Sequence, residues 1–236
     1  MDTTLGERVA LVNEGIADAA RAAGRNIDDI TTIVVTKFHP AQLVRDLYDL
    51  GVRNVGENRH QEAEAKAAEL AHLDLTWHFI GQLQSNKARA VRKYAQVLHS
   101  VDRPSLVNAL ANAAMTPEGL PQNNAVEVLD CFVQLNLTQD PGRGGVQPAD
   151  VVELAELVAA QPSLNLLGVM AVAPLDEEPR VAFARVKAAS ERVQTVIPQA
   201  NFISAGMSHD YAAAIAEGAT HLRIGSAITG NRPVAG

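Results

Sequence analysis

Three groups of residues in this 236-residue chain have the types and spacing to do chemistry together. The first is Lys37, which closes the run Ile30-Thr31-Thr32-Ile33-Val34-Val35-Thr36 and precedes Pro40 by three positions. A β-branched run without charge reads as a strand buried on both faces, and a proline suits the first turn of a following helix. Lys37 then stands at or just past the carboxyl end of a central strand, where α/β folds keep their ligands. It is either a salt-bridged rim residue or an amine held for covalent or anion chemistry. The second group is Ser204-Ala205-Gly206-Met207-Ser208 with Gly225-Ser226. Both segments close short apolar runs with small residues, so bare backbone N–H groups can approach an anion. Ser208 can add its hydroxyl as well as cap a helix. The third is Arg223, one inward position before Gly225.

An amine and an anion seat in one mouth suit a phosphorylated carbonyl compound held as a Schiff base. Aldolases and pyridoxal-phosphate proteins both use that device. What separates them is the group facing the ring nitrogen, and Arg223 is well placed to meet a pyridine nitrogen. An arginine there would not protonate it, leaving a weaker electron sink than an aspartate partner would. The plainer alternatives are that Ser208 only caps a helix, the glycines only turn the chain, and Arg223 makes an ion pair across the mouth.

The elements that must position these groups alternate. An amphipathic helix over Thr4–Ala23 carries Leu5, Val9, Val12, Ile16 and Ala20 at helical spacing. Strands follow at Ile30–Thr36, Val52–Val55, Leu75–Ile80, Val97–Val101, Leu129–Leu137, Leu164–Val172, Asn201–Ser204 and Thr220–Ile224. Each except the last is followed by a helical pattern, including a basic helix over Ser85–Tyr94. Thr116–Asn124 reads as a surface insertion. Eight βα units predict an α/β fold, a single TIM-type (β/α)8 barrel with an additional N-terminal helix, as one domain over residues 1–236. A doubly wound sheet is the runner-up, disfavoured because no G-x-G-x-x-G follows the first strand. On a barrel the strand ends share one mouth, which gathers Lys37, Glu57, Asn58, His78, Gly81, Gln82, Asn136 and Met170 with the groups above.

Composition narrows the partners. Hydrophobic residues make up 47%, charged residues 20% and aromatics 4%, as expected of a soluble protein with an aliphatic core. The net charge of −7 argues against broad nucleic-acid or anionic-membrane binding, while leaving room for a local phosphate pocket. The one cysteine, Cys131, lies in an apolar run and reads as a core residue in a reducing compartment. With no export signal or membrane span evident, the expected location is the cytoplasm. No metal site is expected.

At this point the chain resembles the pyridoxal-phosphate homeostasis proteins, barrels similar to the N-terminal domain of bacterial alanine racemase. The resemblance rests on Val35-Thr36-Lys37, Gly56-Glu57-Asn58 with Gln61-Glu62, and the run His78-Phe79-Ile80-Gly81-Gln82-Leu83-Gln84-Ser85-Asn86-Lys87. It continues through Gly168-Val169-Met170-Ala171-Val172-Ala173-Pro174, Gly206-Met207-Ser208-His209-Asp210 and Arg223-Ile224-Gly225-Ser226-Ala227-Ile228. The resemblance implies pyridoxal 5′-phosphate as cofactor, with Lys37 forming the Schiff base and Ser208, Gly225 and Ser226 holding the phosphate beside Gly206 and Met207. It places Asn58 near the cofactor and Arg223 by the pyridine nitrogen. The implied role is vitamin B6 and amino-acid homeostasis, with apo enzymes that use the cofactor as recipients and no catalytic residue assigned. Where the family often reads Ile-Phe-Gly this chain has Ile228-Thr229-Gly230, Arg143 stands where a lysine is usual, and Pro233-Val234-Ala235-Gly236 lacks a common terminal tyrosine. A racemase is the alternative, and a Schiff-base aldolase is disfavoured by Arg223. Racemisation needs proton exchange on both faces of a carbon, hence usually two acid/base groups. Two-domain racemases take the second from a tyrosine of another domain. Tyr48, Tyr94 and Tyr211 fall in predicted helices, poorly placed for the job. With no racemase-type second domain, a monomer is expected.

Overall fold

A computed structural model describes residues 3–115 and 128–230 of the chain. The expected insertion at Thr116–Asn124 and the terminal Pro233–Gly236 lie outside the described residues. Helix α1 (Leu5–Ala22) starts at a capping box, in which the Thr4 hydroxyl accepts the Glu7 N–H and the Glu7 carboxylate accepts the Thr4 N–H. Its Val9, Val12, Ile16 and Ala20 are buried.

Eight parallel strands then close on themselves: β1 (Thr31–Val35), β2 (Asn54–Glu57), β3 (Thr76–Phe79), β4 (Val97–Val101), β5 (Leu129–Gln134), β6 (Leu164–Met170), β7 (Phe202–Ser204) and β8 (His221–Ile224). Closure is direct: Ile33 of β1 lies opposite Arg223, and Val34 opposite Ile224. The helices between are α2 (Ala41–Asp49), α3 (His60–Glu69), α4 (Ala88–Val91), α5 (Pro104–Ala113), α6 (Val151–Ala159), α7 (Pro179–Gln194) and α8 (Tyr211–Ala216). A one-turn helix, α9 (Ser226–Thr229), follows the last strand, where the sequence pattern shows none. The expected helix over Ser85–Tyr94 is instead a 3₁₀ turn at Ser85–Lys87 and a single α-turn, α4. Gln96 ends it by pairing with Trp77 through both its N–H and its side-chain oxygen, which turns the chain into β4.

The main apolar core lies between the strands and the helices, and α1 adds to it by packing on α8 and α9. A second, separate apolar cluster is small, made of Val97, Phe132 and Met170 with Leu167. TIM-type interiors are usually layers of Val, Ile and Leu. Here much of that space is taken by buried polar side chains: His78, His99, Ser204 and Arg223.

Candidate functional site

Lys37 leaves the end of β1 half-buried, and among the described residues its Nζ has no hydrogen-bond or ion-pair partner. It lies 5.8 Å from the centre of the Phe38 ring. That removes the salt-bridged rim reading. The backbone on each side of it is pinned by α3. Lys66 Nζ donates to the Thr36 carbonyl at 2.9 Å, and Glu62 Oε2 accepts the Phe38 N–H at 3.1 Å. Glu62 and Lys66 are four apart, so one helix face presents both. Phe38 adopts φ 69°, the one positive value among the described non-glycine residues. A residue held so costs of order 1–3 kcal/mol and persists where its surroundings fix it, typically at functional sites.

Beneath this clamp is a buried charge pair. Glu57 Oε1 accepts from Lys66 Nζ at 2.6 Å and from the Thr36 hydroxyl at 2.6 Å. Glu57 is 1% exposed and its Oε2 has no hydrogen-bond partner among the described residues. Burial raises its carboxyl above the usual range, an effect only partly offset by Lys66 and Thr36. Thr36 and Lys66 are not evident from the sequence alone. A lysine in an alanine-rich helix, four residues after a glutamate, is the signal that could have found the second.

The glycine–serine ends of β7 and β8 come together beside β1. Ser208 Oγ accepts the Ala227 N–H at 3.3 Å, tying the loop after β7 to the first turn of α9. The cap of α8 is Asp210, and Ser208 serves the first turn of α9 instead. Gly206 has a reason internal to the fold: its φ is 94°, and a Cβ would meet Ala214 Cβ at 2.7 Å. Gly225 has none. A Cβ there would meet only Val35, at an ordinary 3.6 Å, so the chain itself leaves space at the seat. Ser226 and Met207 are exposed; the Met207 N–H is donated to Asp210. The Ala227 N–H is taken by Ser208 and the Ile228 and Thr229 N–H groups by the Gly225 carbonyl, so among the described residues the Ser226 N–H and the exposed Ser226 side chain are what this cradle offers a small anionic group such as a phosphate ester.

Arg223 is 4% exposed and meets no carboxylate within ion-pair distance among the described residues. Its Nη1 donates to Ser204 Oγ at 2.6 Å and its Nη2 to the Ala171 carbonyl at 2.8 Å. Burial pushes its guanidinium down to about 10, with Asp210 opposing. Ser204 leads on to a string of histidines. His99 Nδ1 lies 2.8 Å from Ser204 Oγ, His99 Nε2 lies 3.0 Å from His78 Nδ1, and His78 Nε2 lies 3.0 Å from Asn54 Oδ1. Burial lowers His78 to about 3, and lowers His221 to about 4 with help from Arg223. His99, between them, is also well below its ordinary value. Read from the sequence, His78 belongs to the mouth; it is 3% exposed and lies within the barrel instead. His99 is not evident from the sequence, a polar residue in a mostly apolar strand being its signal, and Ser204 belongs with Arg223 and His99 and not with the anion loop the sequence put it in.

Asn58 is half-buried after β2, and Gly81 lets its backbone approach, since a Cβ there would collide with the Asn58 carbonyl. A cavity of about 840 Å³ opens here, lined by Asn58, Arg59, Gln82, Lys87, Arg103 and Gly144 among others. The tyrosines are occupied elsewhere. Tyr48 stacks under Arg53 at 3.9 Å, the Tyr94 hydroxyl is 3.3 Å from His60 Nδ1, and the Tyr211 hydroxyl lies against Gly15. Tyr94 follows α4, Tyr211 opens α8, and Cys131 is fully buried, as its apolar run implies. No helix among the described residues is long and apolar enough to cross a membrane, and no group of histidine, cysteine or acidic residues there could hold a metal ion.

Comparison with known proteins bears on this arrangement. Residues 16–233 match the family model described as alanine racemase, N-terminal domain. The chain is 40% identical over 234 residues to the pyridoxal phosphate homeostasis protein of Pseudomonas aeruginosa, covering 98% of this chain and 96% of that one. The Escherichia coli protein of the same name is 37% identical over 241 residues, covering 97% of each. Among solved structures, PipY of Synechococcus elongatus with pyridoxal phosphate bound superposes with a TM-score of 0.76 at 35% identity, over 90% of this chain and 99% of that one. Alanine racemase of Corynebacterium glutamicum, at 15% identity and a TM-score of 0.68, covers 95% of this chain but 62% of its own, and shares the fold alone. By matched length and identity, this chain belongs to the pyridoxal phosphate homeostasis protein family, built on the barrel of the alanine racemase N-terminal domain.

Proposed function

We propose that the protein binds pyridoxal 5′-phosphate as a Schiff base on Lys37 and acts in intracellular vitamin B6 and amino-acid homeostasis, without robust turnover. The observation that carries this is an amine with no hydrogen-bond or ion-pair partner among the described residues, its backbone clamped on both sides, at the end of the strand next to a small-residue cradle. The cofactor supplies an aldehyde for the amine and a ring able to take up electrons. Ser208, Gly225 and Ser226, flanked by Gly206 and Met207, would hold the phosphate, and Asn58 would border the ring. Arg223 would face the pyridine nitrogen as a hydrogen-bond donor and leave it unprotonated, a choice suited to holding the cofactor more than to stabilising a carbanion. Binding by the 35%-identical PipY supports the cofactor. Delivery to apo enzymes, a cytoplasmic location and a monomeric state complete the reading.

The test is spectroscopic and chemical. Protein mixed with pyridoxal phosphate should absorb in the visible, and borohydride should fix the cofactor on the peptide containing Lys37. A colourless mixture, or label on another lysine, refutes the assignment. Formation of D-alanine from L-alanine well above the rate of free cofactor would convert the reading to a racemase. Cofactor passing to an apo enzyme faster than from free solution would support delivery.

A further inference from the structure

We infer that Asn54, His78, His99 and Ser204 form one hydrogen-bond chain of fixed direction across the barrel interior, with His99 as the positioning residue that orients Ser204 toward Arg223. The direction follows from which atoms can donate. A guanidinium only donates, so Ser204 Oγ must accept from Arg223 Nη1, at 2.6 Å. The remaining polar neighbour of that oxygen is His99 Nδ1, at 2.8 Å. If the serine hydroxyl donates to it, Nδ1 is bare and a neutral ring carries its proton on Nε2. That proton is then donated to His78 Nδ1 at 3.0 Å, which leaves His78 with its own proton on Nε2 and Asn54 Oδ1 to accept it at 3.0 Å. Every member is satisfied.

The opposite direction fails at one atom. Were Asn54 turned so that its amide donated, each histidine would carry its proton on Nδ1, and His99 would donate to Ser204 Oγ. That oxygen would accept twice, and its hydrogen would have no acceptor among the described residues although Ser204 is 0% exposed. A buried donor left unmade is the expensive case. An imidazolium is disfavoured as well. His99 is faced by His78 from β3, Phe132 from β5, and His221 and Arg223 from β8, and none of these is a carboxylate. A bare Nδ1 on His99 therefore keeps the serine hydrogen turned away from the arginine. Three of the five guanidinium N–H groups remain without a partner among the described residues.

The first test needs no cofactor. Nitrogen-15 spectra of the histidine rings in the apo protein at neutral pH should show His78 and His99 neutral with protons on Nε2. A proton on Nδ1 of His99, or a charged ring, overturns the chain. The second test rests on the proposed function. His99→Gln keeps an acceptor for Ser204 and a donor for His78, whereas His99→Phe keeps the ring packing on Phe132 and removes both. With pyridoxal phosphate as the added ligand, His99→Phe should move the pH midpoint of the visible band by about one unit, a tenfold change in proton affinity, and His99→Gln should restore it. Two variants that both match wild type, or shift alike, overturn the positioning role. A wild-type protein that takes up no pyridoxal phosphate overturns the cofactor reading instead, and the ring spectra then decide the chain alone.

Discussion

Replacing Lys66 by methionine should destabilise the fold more than any surface substitution, and more at alkaline than at acid pH. The methionine fills most of the volume but withdraws the ammonium from Glu57 Oε1 and from the Thr36 carbonyl, now at 2.6 and 2.9 Å. Glu57 then keeps one hydrogen bond, from Thr36, with its second oxygen already unpaired. Removing one partner of a buried pair costs about 3–5 kcal/mol, a large share of the roughly 5–15 kcal/mol of a typical domain. With a urea slope of about 3 kcal/mol per M, the midpoint should fall by about 1 M or more. The pH dependence has a definite sign. Burial already raises the carboxyl of Glu57 in the folded state, and loss of Lys66 raises it further. A carboxyl raised on folding opposes stability above its folded value, and the opposition lapses as pH falls through that value. The deficit relative to wild type should therefore shrink between pH 8 and pH 5, and the pair Lys66→Met with Glu57→Gln should recover much of it. A drop below about 0.5 kcal/mol at pH 8, or one just as large at pH 5, would refute a stabilising role for this buried pair.

Other outcomes follow from single observations. Gly225→Ala should change urea stability by no more than about 0.5 kcal/mol, because its Cβ meets only Val35, yet weaken retention of added pyridoxal phosphate; equal retention would refute the cradle. Gly206→Ala should cost about 1–3 kcal/mol whether or not ligand is present, since φ 94° and the Ala214 contact both oppose a side chain. His78, His99 and His221 all have folded values below the ordinary 6.5. Their contribution to stability is complete above that pH and is lost as pH falls toward about 4 and then about 3, at about 1.4 kcal/mol per pH unit for each ring. Urea midpoints measured from pH 7 to pH 4 should fall accordingly; a flat profile would refute it. Cys131 is fully buried and its thiol is pushed up by burial, so a thiol reagent should label it only at the rate of unfolding.

The strand order and the place of Lys37 were legible because a β-branched run is hydrophobic on both faces and a lysine at its end is conspicuous. β4 begins at Val97 and ends at Val101 as its apolar pattern indicates. Pattern fails where an element is too short to have a period. With four residues and Ile228 as its buried member, α9 leaves no trace that a helical period could register. It also fails inside the barrel. Neighbours on a strand face opposite ways, but in a run buried on both sides nothing in the sequence says which way is in. His78 was therefore legible as a strand-end residue and not as an interior one, and Ser204 was read with the phosphate loop although its hydroxyl meets Arg223 and His99. The clamp from α3 joins residues 30 and 24 positions apart, a pairing that only the closed fold reveals.

Under the proposed Schiff base on Lys37, that clamp would bear on how long a bound carbonyl compound stays. With the peptide units before and after Lys37 tied to Lys66 and Glu62, the amine can roam only as far as its own four methylenes allow. Confined around the mouth, it would meet anything seated in the cradle as an intramolecular partner and not as one arriving from solution. A carbonyl that let go would then meet the same amine again before it escaped. Residence becomes a contest between return and escape, and the tether tilts it toward return without any tightening of the cradle itself. Loosening α3 should on this account speed departure while leaving the strength of phosphate contact as it was.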